Sequence, residues 1–464
     1  MAEFELTKKV LVKKLTGCGV QFNQHVFAAI TDLPEERFHD LETKVVALAP
    51  QFVRIFYNDK QEGDPMDPGQ TAPQKNKWSS FVRTVKLAQL AGATINVTWQ
   101  SGKLATIQDR DRSMTRFANV LETLVRTSHV TNLRWVTIQN EPNSPVAKGK
   151  VKELTPERLG ASYRKLDTLL TKKGLRKQIR FMGGDLIEGS SDPKSSLHHK
   201  KWFEHMSSNL AGILDGYSAH AYWNYDDVAR FHERLEDTRR IVDGLTNPKP
   251  LFITEYGVRG KNRRPNTIDD PGDFQPGAAK TPLRETNVAA FQHAWFQIRA
   301  AQLGYAGTIK WDCFFGRYDR GKLAYYAIGA PGPGPNGWKL YPMYHLLRLF
   351  TMTTEPGWRV LAVKSNVVKT TKQLAAFAGQ ASELTIVGLD ERGALLNGRS
   401  TERVSYSIGG LPGGASFTLV LWNRAGGGKL VSAGAVAADA TGTATVTVPL
   451  QSVFALTTKT VPLS

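Results

Sequence analysis

Cysteine, long apolar runs and the short motifs of several enzyme classes are scarce or missing in this chain. Two cysteines, Cys18 and Cys313, are all it has in 464 residues, too few for a multi-bridge scaffold or for a zinc framework of cysteine pairs. Cys18 belongs to the first expected strand and Cys313 follows the last, so one bond between them is conceivable. Two free buried thiols are the default reading, because free cysteine packs as a small apolar residue. No apolar run approaches the roughly 20 residues of a membrane helix, so no membrane partner is expected. The opening, Met1-Ala-Glu-Phe-Glu-Leu-Thr7, lacks the basic-then-apolar order of a secretory signal. That leaves a cytoplasmic chain or a secreted one whose signal has been removed.

Other absences narrow the chemistry. No Gly-x-Gly-x-x-Gly follows the first strand and no Gly-x-Ser-x-Gly elbow occurs, so neither a doubly wound open sheet nor a serine hydrolase is supported. His198-His199 with Glu204 and His205 lack the one-face spacing of a metal motif. No metal or other cofactor is expected. Acidic residues are outnumbered, 42 against 60 Lys and Arg, for a net charge of +18. Such a charge permits nucleic acid or an acidic glycan as partner. The cations, however, are scattered through helical segments (Lys165, Lys172, Lys173, Arg176, Lys177) and not gathered beside aromatics. They read as a solvated surface, with no nucleic-acid partner; the oligomeric state stays open.

What is present is ordinary globular composition, 41 % apolar and 22 % charged, in a chain long enough for two domains. Eight short apolar runs alternate with amphipathic stretches, the pattern of a parallel sheet with crossover helices. The runs are Gly17–Asn23, Phe52–Tyr57, Thr94–Trp99, Trp135–Asn140, Ile179–Met182, Leu214–His220, Leu251–Glu255 and Gly307–Trp311. Between them, Trp78, Phe81, Val82 and Val85 keep helical spacing, as do Phe117, Val120, Leu121, Leu124 and Val125. One helix carries its own punctuation: Thr155 as N-cap, Pro156 in the first turn, Glu157 toward the dipole and Gly174 at the end. Another runs from about Arg284 to Gly304. Eight strands with eight crossovers imply an α/β fold, a (β/α)8 TIM barrel over 16–352.

After Thr353-Thr-Glu-Pro-Gly357 the texture changes to short β-rich runs separated by Gly-rich turns. This predicts an antiparallel β-sandwich as an accessory domain over 358–464, which the alternating segment 4–15 is placed to join.

Two glutamates carry the chemistry. Glu141 ends Arg134-Trp-Val-Thr-Ile-Gln-Asn-Glu141, and Glu255 ends Pro250-Leu-Phe-Ile-Thr-Glu255, 114 residues apart, a spacing that suits strands four and seven of the repeat. A carboxylate at the carboxyl end of a barrel strand stands where such folds keep their active sites. A pair of them is the minimum equipment for cleaving a glycosidic bond.

On these residues the chain resembles the retaining glycoside hydrolases of clan A, with similarity to families 5, 30, 39 and 51. Asn140-Glu141-Pro142 is similar to that clan's acid/base signature, and Thr254-Glu255-Tyr256-Gly257 to its nucleophile strand. The resemblance implies Glu141 as acid/base, Glu255 as nucleophile, and Asn140 on the sugar hydroxyl beside the reacting carbon. It also implies Arg54 holding the nucleophile charged, His220 and Tyr222 as the strand-six pair with the tyrosine bonded to the nucleophile, and Trp311 under the sugar ring. The trailing sandwich resembles those of families 30, 39 and 51. Trp99-Gln100 departs from the His that some members place at the end of strand three, which argues against a simple family-5 cellulase assignment and leaves the exact family open. Trp99, Trp223 and Trp338 are candidates for further subsites.

The expected activity is therefore hydrolysis of a β-type glycosidic linkage in a glycoside, oligosaccharide or polysaccharide, by double displacement. An inactive carbohydrate-binding protein and a transglycosylase are the alternatives. The cationic segment Val258–Arg264 leaves open either an acidic sugar or a solvated loop.

Overall fold

The structure is a computed structural model that describes residues 2–100, 104, 106–144, 154–259, 283–314, 326–331, 337–380, 382–395, 400–424 and 427–461. After an opening strand β1 (Phe4–Val12) come eight parallel strands: β2 (Gly17–Phe22), β3 (Phe52–Tyr57), β4 (Thr94–Trp99), β5 (Leu133–Ile138), β6 (Arg180–Leu186), β7 (Gly216–Asn224), β8 (Leu251–Arg259) and β9 (Gly307–Lys310). They close into a barrel, with Gly17 of β2 opposite Gly307 of β9. Each strand is followed by a helix: α1 (Glu35–Leu48), α2 (Ala72–Leu90), α3 (Ile107–Glu122), α4 (Pro156–Lys172), α5 (His199–Asn209), α6 (Ala229–Asp243), α7 (Asn287–Gln302) and α8 (Pro342–Thr353). This is the TIM-barrel arrangement.

Local chemistry explains the elements. The strands are runs of β-branched and aromatic residues buried on both faces, as a helix-jacketed parallel sheet requires. In α4, Thr155 accepts the amide of Arg158, Pro156 opens the helix, and Gly174 follows its end with φ +71°. Threonine side chains also cap α2, α3 and α7, each satisfying an otherwise orphaned amide. Gly19 is obligatory for packing, because a Cβ there would fall 1.6 Å from the carbonyl oxygen of Phe52.

The strand ends differ from the sequence reading at one instructive place. β5 stops at Ile138, and the next residues leave the extended conformation, with φ +68° at Gln139 and +45° at Glu141. No propensity rule favours left-handed backbone at a glutamine or glutamate. The amide of Glu141 is held by the carbonyl of Asp185 at 3.1 Å, a tertiary bond invisible in local sequence.

Apart from the two-stranded pairing of Ile328–Pro331 with Trp338–Leu340, the remaining β-structure among the described residues is one hydrogen-bonded sheet of nine strands, antiparallel except for a short parallel contact between β1 and Arg403–Gly409. β1 enters this sheet beside Arg359–Ser365. The sheet curls over its own apolar cluster, so that Tyr406 packs against Phe454, with ring centroids 4.8 Å apart. Two separate stacked sheets, the expected sandwich, are not what the hydrogen bonding gives. The opposite face packs on the barrel: Phe291 of α7 meets Trp422, and Gln302 donates to the carbonyl of Leu374 at 3.1 Å. Both cysteines are buried and free. No described helix is long and apolar enough to cross a membrane.

Candidate active site

Arg54 is the hub. The third residue of β3, it is fully buried and spends its guanidinium on five partners, four on barrel strands and one just after β5. Nη1 donates to Glu255 Oε2 at 2.8 Å and to Gln21 Oε1 at 2.9 Å. Nη2 donates to Asn140 Oδ1 at 2.6 Å and to Asp185 Oδ2 at 2.5 Å, and Nε donates to Thr98 Oγ1 at 3.0 Å. A buried guanidinium is tolerable only when its donors and its charge are matched in this way.

Glu255 lies on β8, at the centre of the barrel mouth, and accepts a second short hydrogen bond from the Tyr222 hydroxyl on its other oxygen. Glu141 Oε1 faces His220 Nδ1 at 3.1 Å. One oxygen each of Glu141 and Glu255 and a ring nitrogen of His220 all fall within 4.8 Å of one another. The Glu141 side chain keeps 27 % exposure and that of Glu255 9 %, so both reach the cleft. Trp311, partly exposed, follows β9 beside the Phe56 ring at 6.0 Å and donates its amide to the carbonyl of Tyr256. Arg259 stacks over the Tyr222 ring at 4.1 Å; the rest of the cationic segment, residues 260–264, lies outside the described residues.

Burial pushes the Glu141 carboxyl up, but the His220 hydrogen bond and charge, with Arg259 and Arg54, overcome this and hold it below its ordinary value. Burial likewise pushes the His220 ring down, yet the charge of Glu255, the Glu141 hydrogen bond and the charge of Asp185 raise it to about 9. These directions set an imidazolium beside a charged Glu141. An imidazolium has no lone pair for a metal, and Arg54 already compensates the carboxylates beside it.

Asp185 is the residue that sequence reasoning missed. It closes the run Phe181-Met-Gly-Gly-Asp185 on β6, is wholly buried, and has φ +52°. Besides Arg54, Ser218 and Thr254 donate to its Oδ1 at 2.9 and 2.5 Å. Burial opposes its ionisation, while Arg54, His220 and these donors pull its carboxyl far below the usual range. The signal was an acid inside an otherwise apolar strand, which a buried site must pair.

Three tryptophans read as subsites belong to the core. Trp99 has no exposed surface, so it cannot touch a sugar from this position. Trp223 stacks on Tyr256 and Phe296 and donates to Gln292 Oε1 at 2.9 Å. Trp338 is sealed against α1 through a bond to the Arg37 carbonyl at 2.7 Å. Trp223 and Trp338 pack on helices, which position along the chain alone does not reveal.

The histidines near 200 divide. His198 and His199 converge with Asp237, a partner the sequence did not suggest, while His205 faces Glu157 and Glu204 faces Lys200. Arg240 already binds Asp237, and Arg230 and Arg234 hold Glu188 on the same surface. The acids of this corner are thus already engaged by guanidinium groups. A cavity of about 750 Å³ lies at the amino-terminal end of the barrel, lined by Lys14, Arg134, Lys177 and Arg180, and contains none of the groups that converge at the mouth.

No protein-family model matches the chain, and no curated protein sequence is significantly similar to it. Solved structures do match. The catalytic domain of a GH30 xylanase from Talaromyces cellulolyticus aligns over 98 % of this chain and 100 % of its own, at 10 % identity and TM-score 0.66. An α-L-arabinofuranosidase from Thermotoga maritima aligns over 99 % and 100 %, at 12 % identity and TM-score 0.65. A glucosidase from Croceicoccus marinus aligns over 98 % of both chains, at 14 % identity and TM-score 0.64. The chain therefore has the fold of clan-A-type glycoside hydrolases, over the barrel and the second sheet together.

Removing the hub has a measurable consequence. Arg54→Met leaves Asp185 and Glu255 buried without their counter-charge, an arrangement that typically costs about 3–5 kcal/mol. Urea unfolding at neutral pH reads this directly. An unchanged midpoint and slope would show that the pairs contribute nothing net.

Proposed function

We propose that this chain is a retaining glycoside hydrolase that cleaves a β-type O-glycosidic linkage through a covalent glycosyl-enzyme. The observation carrying this reading is the pair Glu141 and Glu255, with oxygens within 4.8 Å across the barrel mouth. Retaining enzymes keep their carboxyl groups about 5–5.5 Å apart, whereas inverting enzymes need roughly 6.5–9.5 Å to admit a water. The xylanase, glucosidase and arabinofuranosidase among structures of the same fold support a saccharide substrate.

The roles follow from the contacts. Glu255, oriented by Arg54 and Tyr222, attacks the anomeric carbon as the bond to the leaving oxygen breaks. Glu141 delivers a proton to that oxygen and then removes one from the water that hydrolyses the intermediate. Asn140, tied to Arg54, is placed to bind the sugar hydroxyl beside the reacting carbon. Trp311 offers a partly exposed aromatic face for the ring.

The test is a screen of nitrophenyl β-glycosides and β-glucans, followed by proton NMR of the first-formed product of any substrate turned over. The β-anomer should appear before mutarotation. An α-anomer as first product would overturn the double displacement. Failure to turn over any glycoside, with sugar binding retained, would favour the carbohydrate-binding alternative.

A further inference from the structure

His220 stands between the two proposed catalytic carboxylates and a third that neither attacks nor protonates. Its Nδ1 is 3.1 Å from Glu141 Oε1 and 3.9 Å from Glu255 Oε2, and its Nε2 is 3.8 Å from Asp185 Oδ1. The ring side chain is completely buried. The charged groups around it come from every neighbouring element: Glu141 after β5, Asp185 on β6, Glu255 on β8, and Arg54 on β3, which pairs with the last two. Arg259, at the end of β8, acts on Glu141. Three carboxylates against one buried guanidinium leave a deficit of positive charge where the imidazole sits.

We propose that His220 and Glu141 hold the acid proton of the reaction between them, and that Asp185 is the positioning residue that keeps it there. When two titratable groups couple this closely, the proton belongs to the pair and leaves at a macroscopic pKa. In the open cleft the pair is imidazolium and carboxylate, as the directions of both shifts indicate. A bound sugar expels water, and a low-dielectric surrounding penalises two charges more than two neutral groups. The Nδ1 proton then crosses to Glu141, giving imidazole and carboxylic acid. Donation to the leaving oxygen, as its bond to the anomeric carbon breaks, returns Glu141 to the carboxylate. In the second half, Glu141 takes a proton from the attacking water and the pair is restored. No proton is lost over the cycle.

The sign of the Asp185 effect follows. Its negative charge favours the protonated pair, so it delays proton loss to higher pH; removing that charge must bring the loss to lower pH. An opposite charge at this range is worth roughly 1–3 pH units. The basic limb of kcat/KM reports loss of the essential acid from the free enzyme. In Asp185→Asn it should move down by at least about one unit.

The inference rests on Glu141 as proton donor, so one readout is chosen that involves no turnover. NMR titration of the His220 ring nitrogens in the wild-type chain should show both protonated at pH 7, with proton loss near pH 9. In Asp185→Asn that titration should fall in step with the kinetic limb. A His220 ring that is neutral at pH 7 in the wild type overturns the proposal, even if Asp185→Asn fails to fold. So does an Asp185→Asn enzyme with reduced activity but unmoved titration and basic limb, the behaviour of a purely structural residue. If His220 titrates as stated and Glu141→Ala shows no acid/base defect, the pair exists and the assignment of Glu141 has failed instead.

Discussion

Glu255→Gln is expected to lower turnover of every substrate by about five orders of magnitude, roughly 7 kcal/mol of barrier at 1.4 kcal/mol per decade. An amide matches the carboxylate in size but cannot attack the anomeric carbon. Its one oxygen can still accept from Arg54, and its NH2 can donate to the Tyr222 hydroxyl, which turns to accept, so both neighbours of the native side chain keep a partner. The loss should therefore appear in kcat with little change in unfolding midpoint, and good and poor leaving groups should suffer alike. In Glu255→Ala the cleared space admits a small anion. Azide should then restore part of the activity toward activated glycosides and yield the α-glycosyl azide from a β-glycoside, because attack occurs once. Turnover within tenfold of wild type in a folded Glu255→Gln enzyme would remove Glu255 from the mechanism.

Glu141→Ala should separate substrates by leaving group. An aryl glycoside whose phenol departs easily needs little protonation, so glycosyl-enzyme formation survives with modest damage. Hydrolysis of the intermediate needs the base, so phenol should appear in a burst equal to the enzyme concentration. A glycoside of an ordinary sugar hydroxyl needs the acid and should lose roughly 10²–10⁴-fold, the usual worth of general acid–base catalysis. Stopped-flow detection of the phenol, set beside steady-state rates on an unactivated disaccharide, checks both halves. Equal losses for the two substrate types would show that Glu141 is not the donor and that the residues after β5 have another task.

Much of the framework was legible before any coordinates. Burial on both faces leaves a parallel strand little freedom in composition, so β3 and β4 are found residue for residue, and β2 within one. Caps are equally local: Thr155 and Pro156 mark the start of α4 because an N-cap oxygen and a missing amide act within one turn. The placement of Arg54, Asn140, Glu141, His220, Tyr222 and Glu255 around one mouth follows from strand order, since every parallel strand in a closed barrel ends on the same rim. Trp99 misled for the same reason. Reaching the rim says nothing about whether a side chain points into the mouth or back toward the helices, and this one has no exposed surface.

The sequence alone determined the repeat, and with it the meeting of the two glutamates, because alternation of buried strands and amphipathic helices is written in periods of a few residues. Only the tertiary structure decided the electrostatics of the site. Asp185 reaches Arg54 across 131 positions of sequence, and His220 reaches Glu141 across 79. A proton's affinity depends on all charges within a few ångströms, whatever their separation along the chain. The continuity of the second sheet was likewise beyond local reading: strands that pair in one sheet or stack as two share the same alternation, and only the long-range hydrogen bonding that sets β1 between Arg359–Ser365 and Arg403–Gly409 joins them.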